Sequence, residues 1–443
     1  MKRLFVQVYG CQMNVRDSEE VVGLLLEKGY ALTQSEKEAD VLLYNTCSVR
    51  EHAEDKVWSE LGVVRELKRQ RPELIIGVMG CMAKAQRETI FKRMPHVDFI
   101  SGPAQLYEVP EIIETIYEER RPMMAIQEKR RSEFQSISYH SGKVTALVTI
   151  MEGCDKVCSY CIVPYTRGPE VSRPPEQVVE EVERLADQGF REVTLLGQNV
   201  NSYGRRLPGE TGKVQREVTF PQLLARVDAV QGIERVRFIT SHPWDAVENL
   251  FFAMRDLPKV CEHLHLPVQS GSNPILERMR RGYTAQEYLE KLRLLRQTIP
   301  GVSVTTDIIV GFPGESEEDF EATVRLMEEA QFDSAFMFTY SPRPFAAASH
   351  WPDDVPREVK ERRLQSVIKL QEGIGRSKDE QFVGQVVEVL VEEQACLPGR
   401  QGMGRTRTNR KAFFQPDCAS PGDIVHVKVE GIRGHSLVGR IEE

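Results

Sequence analysis

Apolar and polar positions along this chain follow two alternating periods. Short apolar runs at residues 4–8, 41–44 and 74–79 each give way to stretches with apolar positions three and four apart, such as 18–28 and 51–69. That order predicts three strand-then-helix units. The alternation resumes at residue 144 and continues to 340, where apolar segments 146–150, 193–196, 236–239, 263–266, 302–310 and 335–338 are interleaved with helical patterns such as 176–187. Six such units predict a parallel barrel, complete or partial. Residues 119–141, between these blocks, are charged and mixed, with Lys129, Arg130 and Arg131, and have the composition of a linker. A charged helical stretch at 356–378 precedes short alternating strands at 386–391 and 424–429, punctuated by Gly399, Gly402, Gly404, Gly422 and Gly434. Such a pattern fits a small β-barrel. The chain therefore reads as α/β in three parts: a parallel sheet domain at 1–118, a central (β/α)6 barrel at 142–377 and a small barrel at 378–443.

The residues just past the predicted strands carry the chemistry. Cys11, Cys47 and Cys81 stand at the ends of the first three strands, 36 and 34 residues apart, close to the length of a βαβ unit. Right-handed crossovers into a parallel sheet bring all three to one edge, where α/β folds place ligands. The competing reading is three buried small hydrophobes. In the central block the segments after the strands are a three-cysteine loop, Gly197-Gln198-Asn199, Ser241-His242-Pro243, Pro267-Val268-Gln269-Ser270, Gly311-Phe312-Pro313-Gly314 and Ser341-Pro342-Arg343. These polar and glycine-rich residues gather at the face where barrel active sites lie.

The loop itself, Cys154-x-x-x-Cys158-x-x-Cys161, supplies three closely spaced thiolates. An iron-sulfur cubane has four irons, and electron-transfer sites cap each with a thiolate. Three thiolates leave one iron open to a small molecule. Zinc is the first rival, but a structural zinc takes four ligands, and no Cys or His follows Cys161 within a dozen residues. A disulfide framework fits a short secreted chain, not one of 443 residues. Cys261, Cys396 and Cys418 read as incidental thiols, and His242, His263 and His265 as hydrogen-bonded structural histidines.

Composition narrows the class. The chain is 41% hydrophobic and 28% charged, ordinary for a globular protein. Its beginning is basic but lacks an apolar signal core, and no stretch approaches a membrane span. A cytoplasmic location without membrane attachment is expected, where thiols stay reduced. A net charge of −8 argues against general nucleic-acid binding, since phosphate affinity comes from Lys and Arg. A local basic segment does exist: Arg400, Arg405, Arg407, Arg410 and Lys411, followed by Phe413 and Phe414, with no acid in between. Basic residues next to aromatics suit an RNA backbone and unstacked bases, although a plain solvated face would look the same.

The cysteine loop, with Tyr160 just before its last Cys, resembles the signature of radical S-adenosylmethionine enzymes. Together with Tyr9-Gly10-Cys11-Gln12-Met13-Asn14, Asn45-Thr46-Cys47-Ser48-Val49-Arg50 and Gly80-Cys81-Met82-Ala83, the chain resembles the methylthiotransferase family over nearly its whole length. Ile162-Val163-Pro164-Tyr165-Thr166-Arg167-Gly168 looks like the branch acting on N6-dimethylallyladenosine at position 37 of tRNA. Residues 404–410 resemble that branch's TRAM RNA-binding domain. A departure is Pro344-Phe345-Ala346, where Pro-Gly-Thr is the expected pattern.

The resemblance implies two 4Fe-4S clusters, on Cys154, Cys158 and Cys161 and on Cys11, Cys47 and Cys81. It implies that S-adenosylmethionine chelates the open iron of the first and is cleaved by one electron, while the second carries the sulfur. Tyr160, Gly197, Gln198, Asn199, Gln269, Ser270 and Gly311 are the expected S-adenosylmethionine contacts. Expected partners are the tRNA anticodon stem-loop, a one-electron reductant such as flavodoxin or ferredoxin, and iron-sulfur assembly or sulfur-donor proteins. Related methylthiotransferases act on threonylcarbamoyladenosine or on a ribosomal-protein aspartate, and a non-enzymatic iron-sulfur carrier that binds RNA is a further reading.

Overall fold

The computed structural model describes residues 1–48, 51–127, 134, 139–205, 218–393, 401–415 and 419–442. Its first body is a six-stranded parallel sheet built from β1 (Arg3–Tyr9), β2 (Ala31–Leu32), β3 (Val41–Thr46), β4 (Ile75–Met79), β5 (Phe99–Ser101) and β6 (Met123–Ala125), in the order β2-β1-β3-β4-β5-β6. Central strands buried on both faces read as unbroken apolar runs, and every residue of β3 and β4 is buried. Successive side chains still point to opposite faces: Leu43 and Ile75 enter one core with Val21, Leu25 and Ile113, whereas Leu42 and Ile76 enter another with Val57 and Leu61. The three expected strand–helix units are present. Met123–Ala125, in the stretch expected to link two domains, extends the sheet by pairing with Phe99–Ser101. Lys129, Arg130 and Arg131 lie outside the described residues.

The second body is an arc of six parallel strands. β7 (Thr145–Thr149) leads to the short antiparallel pair β8 (Met151–Glu152) and β9 (Val171–Ser172), which brackets the cysteine loop. β10 (Glu192–Leu196), β11 (Arg235–Ile239), β12 (His263–His265), β13 (Ser303–Val310) and β14 (Ser334–Thr339) complete it. The order is β11-β10-β7 in one sheet and β12-β13-β14 in the other. A parallel bridge of Val236 with Val260 joins them, where Val236 N donates to Lys259 O at 2.7 Å and Cys261 N to Val236 O at 3.0 Å. One continuous apolar core, from Ala146 and Val148 through Val236 and Leu264 to Val304 and Phe332, fills the arc. The partial (β/α)6 barrel is thus present, with no pairing of β14 back to β7 among the described residues.

A helix at Arg357–Glu380 packs on β13 and β14 and leads to the third body. There β15 (Val386–Glu393), β16 (Gly402–Thr406), β17 (Lys411–Phe414), β18 (Ile424–Arg433) and β19 (Ser436–Ile441) close into a barrel in the order β15-β16-β17-β19-β18. Closure leaves no free edge. Among the described residues, no helix is long and apolar enough to cross a membrane.

Candidate metal centres and substrate face

The topology brings Cys11, Cys47 and Cys81 to the carboxyl edge of three adjacent strands. Tyr9 of β1 pairs with Thr46 of β3, and Asn45 of β3 with Met79 of β4, so the strands end nearly flush. Cys11 caps helix α1 (Gln12–Glu27), Cys47 directly follows β3, and Cys81 opens helix α3, the third in the chain (Cys81–Gln86), after α2 (Glu51–Gln70). Asn14 anchors this edge: its Oδ1 accepts from Cys11 N at 3.3 Å and Cys11 Sγ at 3.2 Å, and its Nδ2 donates to Asn45 Oδ1 at 3.0 Å. Gly10 is required by crowding, because a Cβ there would lie 2.5 Å from Asn14 Oδ1 and 2.9 Å from the Cys47 Cβ. A hydrogen bond with Cys47, aided by the Arg167 charge, holds the Cys11 thiol down at about 5. Burial pushes the Cys81 thiol up, against the pull of Arg167.

The second set is local. Cys154 N donates to Gly168 O at 3.1 Å and Cys161 N to Cys158 O at 3.1 Å, closing the loop on itself. Arg281, 5% exposed, holds it from across the arc. Its Nη1 donates to Cys158 Sγ at 3.4 Å and Tyr160 Oη at 3.2 Å, its Nη2 to Pro267 O at 2.7 Å, and its Nε to Tyr283 Oη at 2.8 Å. Burial raises Cys154 to about 11 and Cys161 to about 12. Such thiols become strong ligands when a cation replaces the proton.

The donor sets fit clusters better than single ions. All seven described cysteines are free thiols, which removes the disulfide reading for them. Among the described residues no three His, Cys, Asp or Glu converge on one point as a metal ion requires. A cubane asks for less convergence, because each thiolate caps a different iron. Two sets of three soft donors at loop and strand ends meet that requirement, and they do not meet the four-ligand requirement of structural zinc.

Between the sets lies a junction that sequence reasoning did not identify. The turn Val163–Thr166, just past Cys161, packs on the helix that begins at Cys81, with the Thr166 side chain close to the Cys81 thiol. Arg167, 3% exposed, pairs with Asp17 of α1 and lies 3.8 Å from Glu152. Arg16, next to Asp17, reaches Glu181 at 3.1 Å, and Glu181 also pairs with Arg173. These charges span the two bodies in a desolvated interface. Their only signal in the sequence was polar residues on one stretch of α1, where a solvated face was the ordinary expectation.

The expected S-adenosylmethionine contacts lie at the strand-end face, in different states. Tyr160 packs beside Ile275, Met279 and Phe312. A Cβ on Gly197 would strike Met151 at 2.4 Å, and Gln198 Oε1 accepts from Gly153 N at 2.5 Å, fixing the entry to the cysteine loop. Asn199 is engaged by protein: Nδ2 donates to Asp245 Oδ2 at 2.7 Å and Oδ1 accepts from His242 N at 3.2 Å. Ser270 Oγ contacts Thr323 Oγ1 at 3.2 Å and accepts from Ser272 N at 3.2 Å. Gln269 and Gly311 both adopt left-handed backbone, at φ +74° and +71°. His263 and His265 share Thr305 Oγ1 at 3.2 and 3.0 Å. His242 lies 3.9 Å from Cys158 Sγ, and burial beside Arg281 holds it down at about 2, so it stays neutral.

Three cations of the basic segment in the third body, Arg405, Arg407 and Arg410, have protein partners. Arg407 forms a two-pronged pair with Glu262 at 2.8 and 2.7 Å, and Arg410 joins Asp379 at 2.8 Å and Asp333 at 2.6 Å. Arg405 lies 3.3 Å from Glu392 and donates to Asn409 at 3.3 Å. From the arc, Arg235 donates to Arg405 O at 2.6 Å, and Arg237 to Arg407 O and Thr406 O at 2.7 Å each. These contacts clamp the small barrel to the arc. Lys411 is exposed, and Arg400 lies outside the described residues.

Comparison with known proteins follows the same three bodies. Residues 3–102 match the uncharacterized protein family UPF0004, residues 148–327 the radical SAM superfamily, and residues 380–441 the TRAM domain. A tRNA-2-methylthio-N(6)-dimethylallyladenosine synthase of Moorella thermoacetica is 46% identical, covering 99% of this chain and 98% of that protein. One of Protochlamydia amoebophila is 43% identical, covering 100% and 97%. Among solved structures, the radical S-adenosylmethionine methyltransferase TsrM of Kitasatospora setae, with tryptophan and a SAM analogue bound, aligns over 90% of this chain and 80% of its own with a TM-score of 0.59 at 12% identity, a likeness of fold alone. The end-to-end match to those synthases gives the conclusion: the chain belongs to the tRNA-2-methylthio-N6-dimethylallyladenosine synthase family of radical S-adenosylmethionine methylthiotransferases.

Proposed function

We propose that this protein is a tRNA methylthiotransferase that replaces the hydrogen on C2 of N6-dimethylallyladenosine with a methylthio group, using two molecules of S-adenosylmethionine. The C2–H bond is neither acidic nor polarised, so a general base has nothing to act on, and no side chain is assigned such a role. When bound, a cluster on Cys154, Cys158 and Cys161 supplies the electron that cleaves S-adenosylmethionine, and one on Cys11, Cys47 and Cys81 supplies the sulfur. The chain's own residues position and insulate. Arg281 fixes Cys158 and the Tyr160 ring together through one guanidinium nitrogen, and Asn14 fixes Cys11 against the end of β3.

The observation that carries the reading is the Thr166–Arg167 junction, where the loop past one cysteine set touches the Cys81 thiol and Asp17 of the other. Sulfur insertion needs the radical and the sulfur donor to reach the same carbon, and a shared junction supplies that proximity. Gly197, Gln198, Asn199, Gln269, Ser270 and Gly311 are proposed to shape the S-adenosylmethionine pocket. For Asn199 and Ser270 the role is to stiffen it, since their side chains already bond protein. A cytoplasmic location, a flavodoxin- or ferredoxin-type reductant and a sulfur donor complete the proposal. Mass spectrometry of tRNA nucleosides from cells lacking the gene tests it. Loss of the methylthio nucleoside is the expected result. A missing mass on a ribosomal protein or on threonylcarbamoyladenosine overturns the substrate, and reduced protein that releases no 5′-deoxyadenosine from S-adenosylmethionine overturns the chemistry in favour of a carrier.

A further inference from the structure

Three loops, each tied to a cysteine set, meet in one exposed patch that no role above uses. Tyr165 lies on the turn just past Cys161 and is 52% exposed. Phe345, in the loop after β14, is 45% exposed and stacks on it, with ring centroids 5.8 Å apart and planes 28° from parallel. That loop is tied to the first set, because Ala348 N donates to Ser159 O at 2.8 Å, between Cys158 and Cys161. Arg87 ends the short helix that begins at Cys81, and its guanidinium carbon is 5.8 Å from the Phe345 ring centroid.

Stability does not explain the patch. Phe345 sits at φ +68°, in the left-handed region where a bulky side chain is an outlier and glycine is the unstrained choice. A strained aromatic half in water gains little from burial, and strain held in place by its surroundings is a pointer to function. Arg87 is likewise left-handed, at φ +44°.

We propose that Tyr165, Phe345 and Arg87 form a stacking platform for an unstacked RNA base next to the target adenosine. The occupant follows from the chemistry. Paired aromatic faces with an arginine alongside suit a nucleobase and its phosphate, and stacking accepts any base. Location agrees, since the patch draws on the turn past Cys161, the loop bonded to Ser159 and the end of the helix that begins at Cys81. It also adds to the third body, where Arg407 and Arg410 are engaged by Glu262, Asp333 and Asp379. The inference rests on the tRNA reading above.

The test uses full-length, anaerobically reconstituted protein and a modified anticodon stem-loop carrying 2-aminopurine on either side of the target. Binding to the unaltered protein quenches one of the two probes. Phe345→Gly suits the backbone conformation, keeps or raises the melting temperature, weakens binding about tenfold and loses the quench; Tyr165→Leu does the same, and Phe345→Trp retains it. Equal affinity and quench in Phe345→Gly and Tyr165→Leu overturn the platform while leaving the tRNA assignment standing. Unaltered protein that fails to bind the stem-loop overturns both.

Discussion

The two cysteine sets solve one chemical problem by opposite routes. Cys154, Cys158 and Cys161 lie within one loop that closes by its own backbone hydrogen bonds, and side chains such as Arg281 and Gln198 hold that loop in place from outside. Cys11, Cys47 and Cys81 are brought together by two crossovers and a flush sheet edge. Their electrostatics differ in the same sense. In the local loop, burial lifts Cys154 and Cys161 to about 11 and 12, whereas at the sheet edge Cys47 and Arg167 hold Cys11 near 5. A set of ligands written in one loop survives changes elsewhere in the fold. One assembled from three strands depends on every contact that keeps those strands in register.

Breaking each set gives the largest effects. Cys158→Ala is expected to abolish 5′-deoxyadenosine release from S-adenosylmethionine. Cys47→Ala is expected to retain that release, to lose the methylthio product, and to lower bound iron from about eight to about four per chain, since each cubane holds four. Loss of all iron in Cys47→Ala would show that the two sets are not independent.

The junction comes next. Arg167→Met leaves Asp17 and Glu152 buried without their cation, and removing one partner of a buried pair costs about 3–5 kcal/mol, measurable by denaturant unfolding. Asp17 is raised to about 7 by burial, so Asp17→Asn added to Arg167→Met is expected to recover part of the loss.

Glu170, just past the junction, gives the pH test. Burial raises its carboxyl from 4.5 to about 7, so between these values the folded state keeps a proton that the unfolded state has released. Its contribution is therefore fully favourable below about 4.5 and is lost as pH rises toward 7, on the order of 3 kcal/mol in all. Glu170→Gln is expected to flatten that part of the stability profile in urea titrations, and an unchanged slope would refute the assignment. The smallest effect belongs to Lys411→Ala: one phosphate contact at most, a change of about one unit in the salt dependence of tRNA binding.

Legibility in the sequence tracked the range of the interactions. The six arc strands lie close to their apolar segments, because alternation of short apolar runs with helical stretches is a local property. The placement of Cys11, Cys47 and Cys81 at one edge followed from chain direction and crossover handedness. By contrast, the segment from Arg400 to Lys411 read as a surface for RNA without a sign that Arg407 and Arg410 also clamp the small barrel to Glu262, Asp333 and Asp379. Basicity is visible in a sequence, but the partner that neutralises it is a long-range fact. The roles of Arg167 and Arg281 escaped notice for the same reason: each lies far in sequence from the group it holds, Asp17 and Cys158 respectively.

By itself, then, the sequence determined the supply of candidate thiol donors, the spacing within the cysteine loop and the succession of strand and helix, since these depend on residue type and on periodicity over a few turns. The tertiary structure alone decided that the two cysteine sets share a junction at Thr166 and Arg167, that the basic segment faces protein, and that Phe345 is held against Tyr165 in a left-handed conformation. Each of those depends on charges or rings far apart in the sequence meeting in a desolvated or strained setting, and no local pattern encodes which partner will be there.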